Sequence, residues 1–198
     1  MPKHQAWDAT AGQLVLLFIL SVMAAPVEFL AHESAHYVAA RGFGVAASLH
    51  FDQMDLPGAE RLANLQRLVI AAAGPAVDWF AGLAGVLLVV MRFTPMRLVV
   101  AIWVARPLQF LPSLVGVGVD YLGLGGSLQG SDEVTMARTL SLRDHGIVWL
   151  ELAVAIPLLI LIVWAVPARR RFVVLPVMSV GVLAGWAGWL LIGPHILP

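Results

Sequence analysis

The hydrophobic positions of this chain form long runs that short polar stretches separate. Apolar runs extend over residues 12–31, 68–90, 96–119, 147–166 and 172–197. A run of about 20 apolar residues is long enough for a helix to cross the hydrocarbon core of a bilayer. The pattern therefore predicts an all-α membrane protein with about five transmembrane helices. The first helix should end at residues 41–44 and the second begin near Ala59, with small residues before Pro75 that allow close helix approach. Gly181, Gly185 and Gly188 of the fifth span are expected to form a helix-packing face.

Two of the polar stretches carry a pattern of their own. In residues 47–58, Leu49 and Phe51 alternate with polar positions and a Pro-Gly pair follows, which is a weak signal for a strand or hairpin. This segment is either an ordinary loop or an edge strand able to pair with an extended peptide, and the pattern favours neither. Residues 120–144 contain several glycines, so we expect an irregular break before the fourth span.

Composition supports the membrane interpretation. The 198 residues are 60% hydrophobic and 12% charged, with a mean hydropathy of +0.88, whereas soluble domains carry about 25% charged residues. The formal net charge is zero, which argues against a nucleic-acid partner, and the chain has no cysteine for disulfides, zinc ligation or thiol catalysis. We expect one integral, multi-pass membrane domain over residues 1–198, most plausibly in the cell membrane.

The sequence HESAH at residues 32–36 is the strongest chemical signal. It lies in a stretch without Gly or Pro, 27–40, that predicts a helix. His32 and His36 are one helical turn apart, so both imidazoles leave the same face and can bind one zinc ion. Glu33 can then act as general base on a metal-bound water. Ionisable residues are costly beside an apolar run and usually functional, so we favour a metal site over a chance match.

A third ligand is expected from the later polar stretch. Ser131 or Asp132 can cap a helix that begins there, and Asp132 can supply the oxygen ligand that HESAH lacks. The alternative is that Asp132 is only a capping acid. We favour Asp132 as the metal ligand and expect Glu133 to support the site.

Three more ionisable residues lie in the predicted spans. Asp78 follows a Gly-Pro pair, and a buried acid beside such a kink is expected to have a function. Arg106, in the middle of the third span, needs an anionic or carbonyl partner, for which Glu28, Asp78 and Asp120 are candidates. A structural ion pair is the favoured role for Arg106, with support of the site as the alternative.

Three motifs resemble, in order, those of the site-2 protease family of intramembrane zinc metalloproteases. HESAH matches the family's H-E-x-x-H on a membrane helix. AGPAVD, residues 73–78, is similar to the small-small-Pro motif of the next core helix, and GSDE, residues 130–133, to the later Asp motif. The resemblance covers roughly residues 12–140, which would be the catalytic core, and leaves accessory helices at about 145–197.

The resemblance implies a zinc-dependent endopeptidase that cleaves a membrane-spanning protein within or near the bilayer. Zinc would be held by His32, His36 and Asp132, with Glu33 activating water. The segment containing Leu49 and Phe51 would hold the unwound substrate, and Asp78 would also bind substrate.

This chain departs from the family pattern at two of these positions. Glu133 follows Asp132 where the family has Gly. Asp78 stands where the family usually has Asn, so it could donate a hydrogen bond to substrate only in its protonated form.

Other functions use the same residues differently. A metal transporter would bind metal without cleavage, but it needs several polar sites along a path, and the strong ligands here cluster on one side. A non-proteolytic scaffold would not need an intact HESAH motif. An iron-dependent lipid oxidase would need several His clusters. We therefore predict the protease.

Overall fold

A computed structural model describes residues 10–51, 53–90, 118–119, 122, 131–166 and 168–197. The predicted third span, with Arg106, and the Gly-rich part of the break before the fourth span lie outside these residues. The described chain is mostly helical. In order, its elements are α1 (Ala11–Gly42), β1 (Ser48–Leu49), β2 (Met54–Asp55), a 3-10 turn (Ala59–Arg61), α2 (Asn64–Val90), α3 (Asp132–Thr139), α4 (Gly146–Ala165) and α5 (Ala168–Ile196).

Three of the helices are long and apolar enough to cross a membrane: Ala11–Gly42, Asn64–Gly85 and Ala168–Ile196. A fourth apolar helical segment, Gly146–Leu161, is shorter. Large apolar side chains on their outer faces are exposed; Phe172 is 89% and Phe80 79% exposed. Apolar patches this extensive are unusual on soluble monomers and suggest a membrane protein. The number of crossings, predicted as five, stays a prediction.

The HESAH motif lies on the same continuous helix as the first apolar run. α1 has 32 residues and passes through Pro26 without interruption; its length is about 48 Å at 1.5 Å per residue. It ends where predicted, at Gly42, and Gly44 turns the chain with a φ of +72°. The motif therefore lies in the last third of α1, just before the hairpin.

The hairpin signal after the first run is confirmed. β1 and β2 are antiparallel, with Ser48 opposite Asp55 and Leu49 opposite Met54. Each strand has two residues, so the sheet is close to the smallest possible. The second helix begins later than expected, at Asn64 instead of Ala59, because the 3-10 turn occupies the intervening residues.

Glycines allow close packing of α5 against α1. A Cβ on Gly185 would overlap the backbone carbonyl of Val22, and a Cβ on Gly181 would lie 2.6 Å from Cβ of Ser21. Backbones approach this closely only at small residues. This confirms the predicted packing face for Gly181 and Gly185, whereas no described atom lies within 4 Å of a Cβ placed on Gly188.

Candidate metal centre

Two helices, α1 and α3, bring the candidate ligands together. His32 and His36 extend from one face of α1, with ring centroids 4.8 Å apart and ring planes at 75°. Asp132 is the first residue of α3 and reaches them from a position about 100 residues later in the chain. His32, His36 and Asp132 form a group that could hold a metal ion, as the sequence predicted.

The ligand atoms are spaced as donors around one cation. Nε2 of His32 lies 3.1 Å from Oδ2 of Asp132, Nε2 of His36 lies 2.9 Å from the same oxygen, and the two Nε2 atoms are 3.1 Å apart. Donors about 2.0–2.1 Å from a tetrahedral zinc ion lie roughly 3.3 Å from one another. The three atoms therefore fit a single small divalent cation with little movement.

The other ring nitrogens determine which lone pairs face the centre. Nδ1 of His36 lies 2.6 Å from the carbonyl oxygen of Ile70, which only accepts, so Nδ1 carries the proton. Nδ1 of His32 lies 2.6 Å from Oδ2 of Asp78 and donates to that carboxylate. In the neutral imidazoles both Nε2 atoms then present lone pairs, next to a carboxylate oxygen. Three electron pairs this close repel one another unless a metal ion or a proton lies between them, and this arrangement of partners is typical of metal-bound histidines.

Gly74 leaves the space in which these atoms meet. A Cβ added to Gly74 would lie 2.6 Å from Nε2 of His32 and would overlap Nε2 of His36. The backbone of α2 therefore passes directly beside the centre, and any larger residue would fill the position between the two imidazoles. The run of small residues before Pro75 signalled close helix approach, but its relation to the metal centre could not be derived from the sequence.

Local interactions hold Asp132 in place at the start of α3. The hydroxyl oxygen of Ser131 accepts a hydrogen bond from the backbone N–H of Val134 at 3.4 Å, which confirms the predicted helix cap. Val134 in turn belongs to a buried cluster with Val148 and Leu152 of α4. Burial alone would raise the pKa of the Asp132 carboxyl, but the contacts with His32 and His36 outweigh it and lower this pKa below its ordinary value.

At the C-terminal end of α3, an exposed ion pair links the helix to the turn that follows it. Arg138 donates two hydrogen bonds to the Asp144 carboxylate, at 3.2 and 2.7 Å. The hydrogen bond from Arg138 lowers the pKa of Asp144 below its ordinary value. Exposed pairs contribute little stability, so the cap and the buried cluster do most to position Asp132.

An open cavity of about 750 Å³ borders the centre. His32, His36 and Asp132 line one side of it together with the half-buried Glu33 and Glu133. The rest of its lining comes from the hairpin and the chain that follows it, through Gln53, Met54, Leu56, Ala59 and Glu60, and from Arg67, Ile70 and Ala71 of α2. The cavity is large enough for a peptide segment, and it places Glu33 beside the ligands and in reach of solvent.

The remaining predicted residues have distinct positions. Asp78 is buried and contacts the ligand His32, so its expected contact with substrate stays a prediction. Glu28 is buried on α1, one turn before His32. Leu49 and Phe51 are on the hairpin but are not among the residues lining this cavity, and their role in substrate binding also stays a prediction. Arg106 lies outside the described residues.

No protein-family model, curated protein or solved structure matches this chain. What can be said about its chemistry therefore comes from the site itself.

We expect Gly74→Ala to abolish metal binding. The added methyl group would occupy the space between the two Nε2 atoms, while alanine is favoured over glycine in a helix by about 1 kcal/mol. Because the methyl group overlaps the two rings whether or not metal is present, we expect the unfolding temperature to fall below that of metal-free wild type, although the helix propensity of alanine offsets part of the loss. Metal analysis and thermal unfolding of the purified protein would check this. Gly82→Ala is the matched control on the same helix, since no described atom lies within 4 Å of a Cβ there; equal metal content in both variants would contradict the prediction.

We expect Asp78→Ala to weaken metal binding by about 10- to 100-fold, the usual cost of losing a carboxylate that orients a ligating histidine. Asp78→Asn should lose less, because its amide oxygen can still accept from Nδ1 of His32. Competition with a zinc chelator measures both. Glu60→Ala removes an exposed carboxylate from the same cavity and should leave affinity unchanged. If Asp78 acts on substrate alone, its variants will bind metal like wild type and only KM will rise.

Proposed function

We propose that this protein is a zinc-dependent intramembrane endopeptidase of the site-2 protease type. The observation that supports it most directly is the convergence of three metal donors and Glu33 on one solvent-accessible cavity. Three protein ligands are typical of catalytic zinc sites, whereas structural sites use four. The ligand set of two imidazoles and one carboxylate, without cysteine, suits zinc.

His32, His36 and Asp132 would hold the metal, with Asp78 and the Ile70 carbonyl orienting the two imidazoles. When bound, zinc supplies a Lewis acid that polarises the scissile carbonyl and acidifies water. Glu33 follows His32 directly in the chain and lines the cavity, so its carboxylate takes a proton from the attacking water. The same group then passes that proton to the nitrogen of the departing peptide, which leaves as an amine while the carbonyl carbon becomes a carboxylate.

The proposed substrate is a membrane-spanning polypeptide that enters the cavity in extended form. A helical substrate has its carbonyls in hydrogen bonds, so the segment to be cut must unwind first. The hairpin lines the same cavity as the metal ligands, and an unwound strand can pair with its backbone groups. The apolar helices support placing this chemistry in a bilayer, with about five crossings and the cell membrane as the expected location. Helix termini and loops that line a water-filled cavity are tolerated at membrane depth.

We expect wild-type protein to bind about one zinc ion per chain, and His32→Ala and Asp132→Ala to lose it. Each substitution removes one of three donors, and the remaining two cannot close the coordination shell. Metal analysis after purification in detergent tests this. His50→Ala is the control, because His50 forms a separate pair with Asp55 on the hairpin, at 3.2 Å. Full zinc content in Asp132→Ala would show that another residue is the third ligand.

We expect Glu33→Gln to keep its zinc and to cleave about 100- to 10,000-fold more slowly, which is the usual contribution of a general base. The assay is the appearance of fragments from a set of labelled single-span polypeptides reconstituted with the enzyme in vesicles. Glu133→Gln changes the other carboxylate next to the ligands and serves as comparison. If Glu33→Gln cleaves like wild type, Glu33 is not the base. If neither wild type nor Glu33→Gln cleaves but metal ions cross the vesicle membrane, the transporter hypothesis is correct instead.

A further inference from the structure

One face of α5 contacts both the ligand-bearing helix and the hairpin. Its residues recur every four positions, at Gly181, Gly185, Trp189 and Gly193, and the stripe continues to Leu197 just past the helix. Residues four apart stack along the same side of a helix. The first two glycines pack against α1, as described above, and the last three positions all reach Phe51.

The contacts at Phe51 engage the backbone and the ring. The backbone N–H of Phe51 donates to the carbonyl of Leu197 at 3.1 Å, and the indole N–H of Trp189 donates to the carbonyl of Phe51 at 2.9 Å. The ring lies over Gly193, where an added Cβ would be 2.8 Å from Cδ2 of Phe51. The tip of the hairpin is therefore tied to α5 by two hydrogen bonds and one close contact.

The hairpin needs such support because it is short. With two residues in each strand, and a turn closed by the hydrogen bond from His50 N–H to the Gln53 carbonyl at 2.9 Å, it has little stability of its own. Gln53 and Met54, two and three residues after Phe51, line the same cavity as the metal ligands. The position of the tip thus determines the distance between the hairpin and the ligands.

We propose that α5 fixes the substrate-facing hairpin relative to α1, with Trp189 and Gly193 as positioning residues for an extended peptide segment. The inference rests on the proposed protease function, but it assigns a role to a helix outside the motif-bearing core. Neither residue contacts the metal ligands in the described structure. Both act through Phe51 on the width of the cavity, so their loss should weaken substrate binding and leave the metal centre unchanged.

Trp189→Phe tests the hydrogen bond, because it keeps an aromatic ring and removes the indole N–H. The matched control is Trp186→Phe, one turn earlier. The buried indole nitrogen of Trp186 has no hydrogen-bond partner among the described residues, and its ring packs edge-on against Phe29 at 6.1 Å. Both changes remove the same group, but only that at Trp189 removes a bond to the hairpin.

Two readouts are measured on full-length protein in detergent or vesicles. Hydrogen exchange of the amides of residues 48–56 should be roughly three- to tenfold faster in Trp189→Phe, the range expected for one lost hydrogen bond. KM for a single-span polypeptide should rise by a similar factor, with kcat within about twofold and zinc affinity unchanged. Trp186→Phe should behave as wild type in both. Equal exchange in the two variants, or faster exchange without a rise in KM, would overturn the proposal.

Gly193→Ala tests the contact with the Phe51 ring by a different route. The methyl group should push the ring away and raise KM in the same manner. Gly188→Ala is the control on the same helix, since a Cβ there meets no described atom within 4 Å. A Gly193→Ala variant with the KM and hairpin exchange of Gly188→Ala would count against the proposal. Failure of the protease function looks different: neither wild type nor Glu33→Gln would then cleave, whereas the exchange of the hairpin amides would still separate Trp189→Phe from Trp186→Phe.

Discussion

Two imidazole nitrogens and one carboxylate oxygen approach within about hydrogen-bonding distance of one another, although each presents a lone pair. Their lone pairs repel one another unless a metal ion or a proton lies between them. A hydrogen bond at Nδ1 sets the orientation of each imidazole. The ring of His36 donates to the backbone carbonyl of Ile70, and the ring of His32 donates to the carboxylate of Asp78. Rotating either ring would leave a buried polar group without a partner, at a cost of about 1–3 kcal/mol. The centre is therefore arranged before any ion arrives.

The rest of the described structure holds α1 and α3, which carry those donors, in place. α2 can lie against α1 at the centre only because Gly74 has no side chain. α3 brings Asp132 to the same point because Ser131 caps the helix and Val134 is buried against α4. α5 packs on α1 through glycines and holds the tip of the hairpin. Apart from the cap at Ser131, these contacts join separate segments of the chain, so they could not be read from local pattern alone.

The parts of this arrangement that were predictable follow from short-range rules. Helical spacing placed His32 and His36 on one face, and the end of α1 at Gly42, the cap at Ser131 and the antiparallel hairpin followed from local signals. Asp132 was selected by chemical need, since two imidazoles leave a zinc site incomplete. The position of Asp78 beside His32 and the dependence of the hairpin on α5 were not predictable, because contacts across 46 and 138 residues depend on how helices pack. Periodicity gives the face of a helix but not the neighbour that the face meets.

Asp78 stands where the resembled motif usually has Asn, and its contact with His32 gives a physical reason for a carboxylate there. An amide can turn either its oxygen or its nitrogen towards a neighbour, whereas an ionised carboxylate only accepts, so it leaves His32 a single arrangement with Nε2 free for metal. Charge gives a second reason. Two neutral imidazoles with the carboxylate of Asp132 would leave a divalent ion with an excess of one positive charge among apolar helices. The buried carboxylate of Asp78 balances that charge, and a neutral centre costs much less to bury than a charged one. The carboxylate at position 78 therefore favours metal retention in an apolar setting.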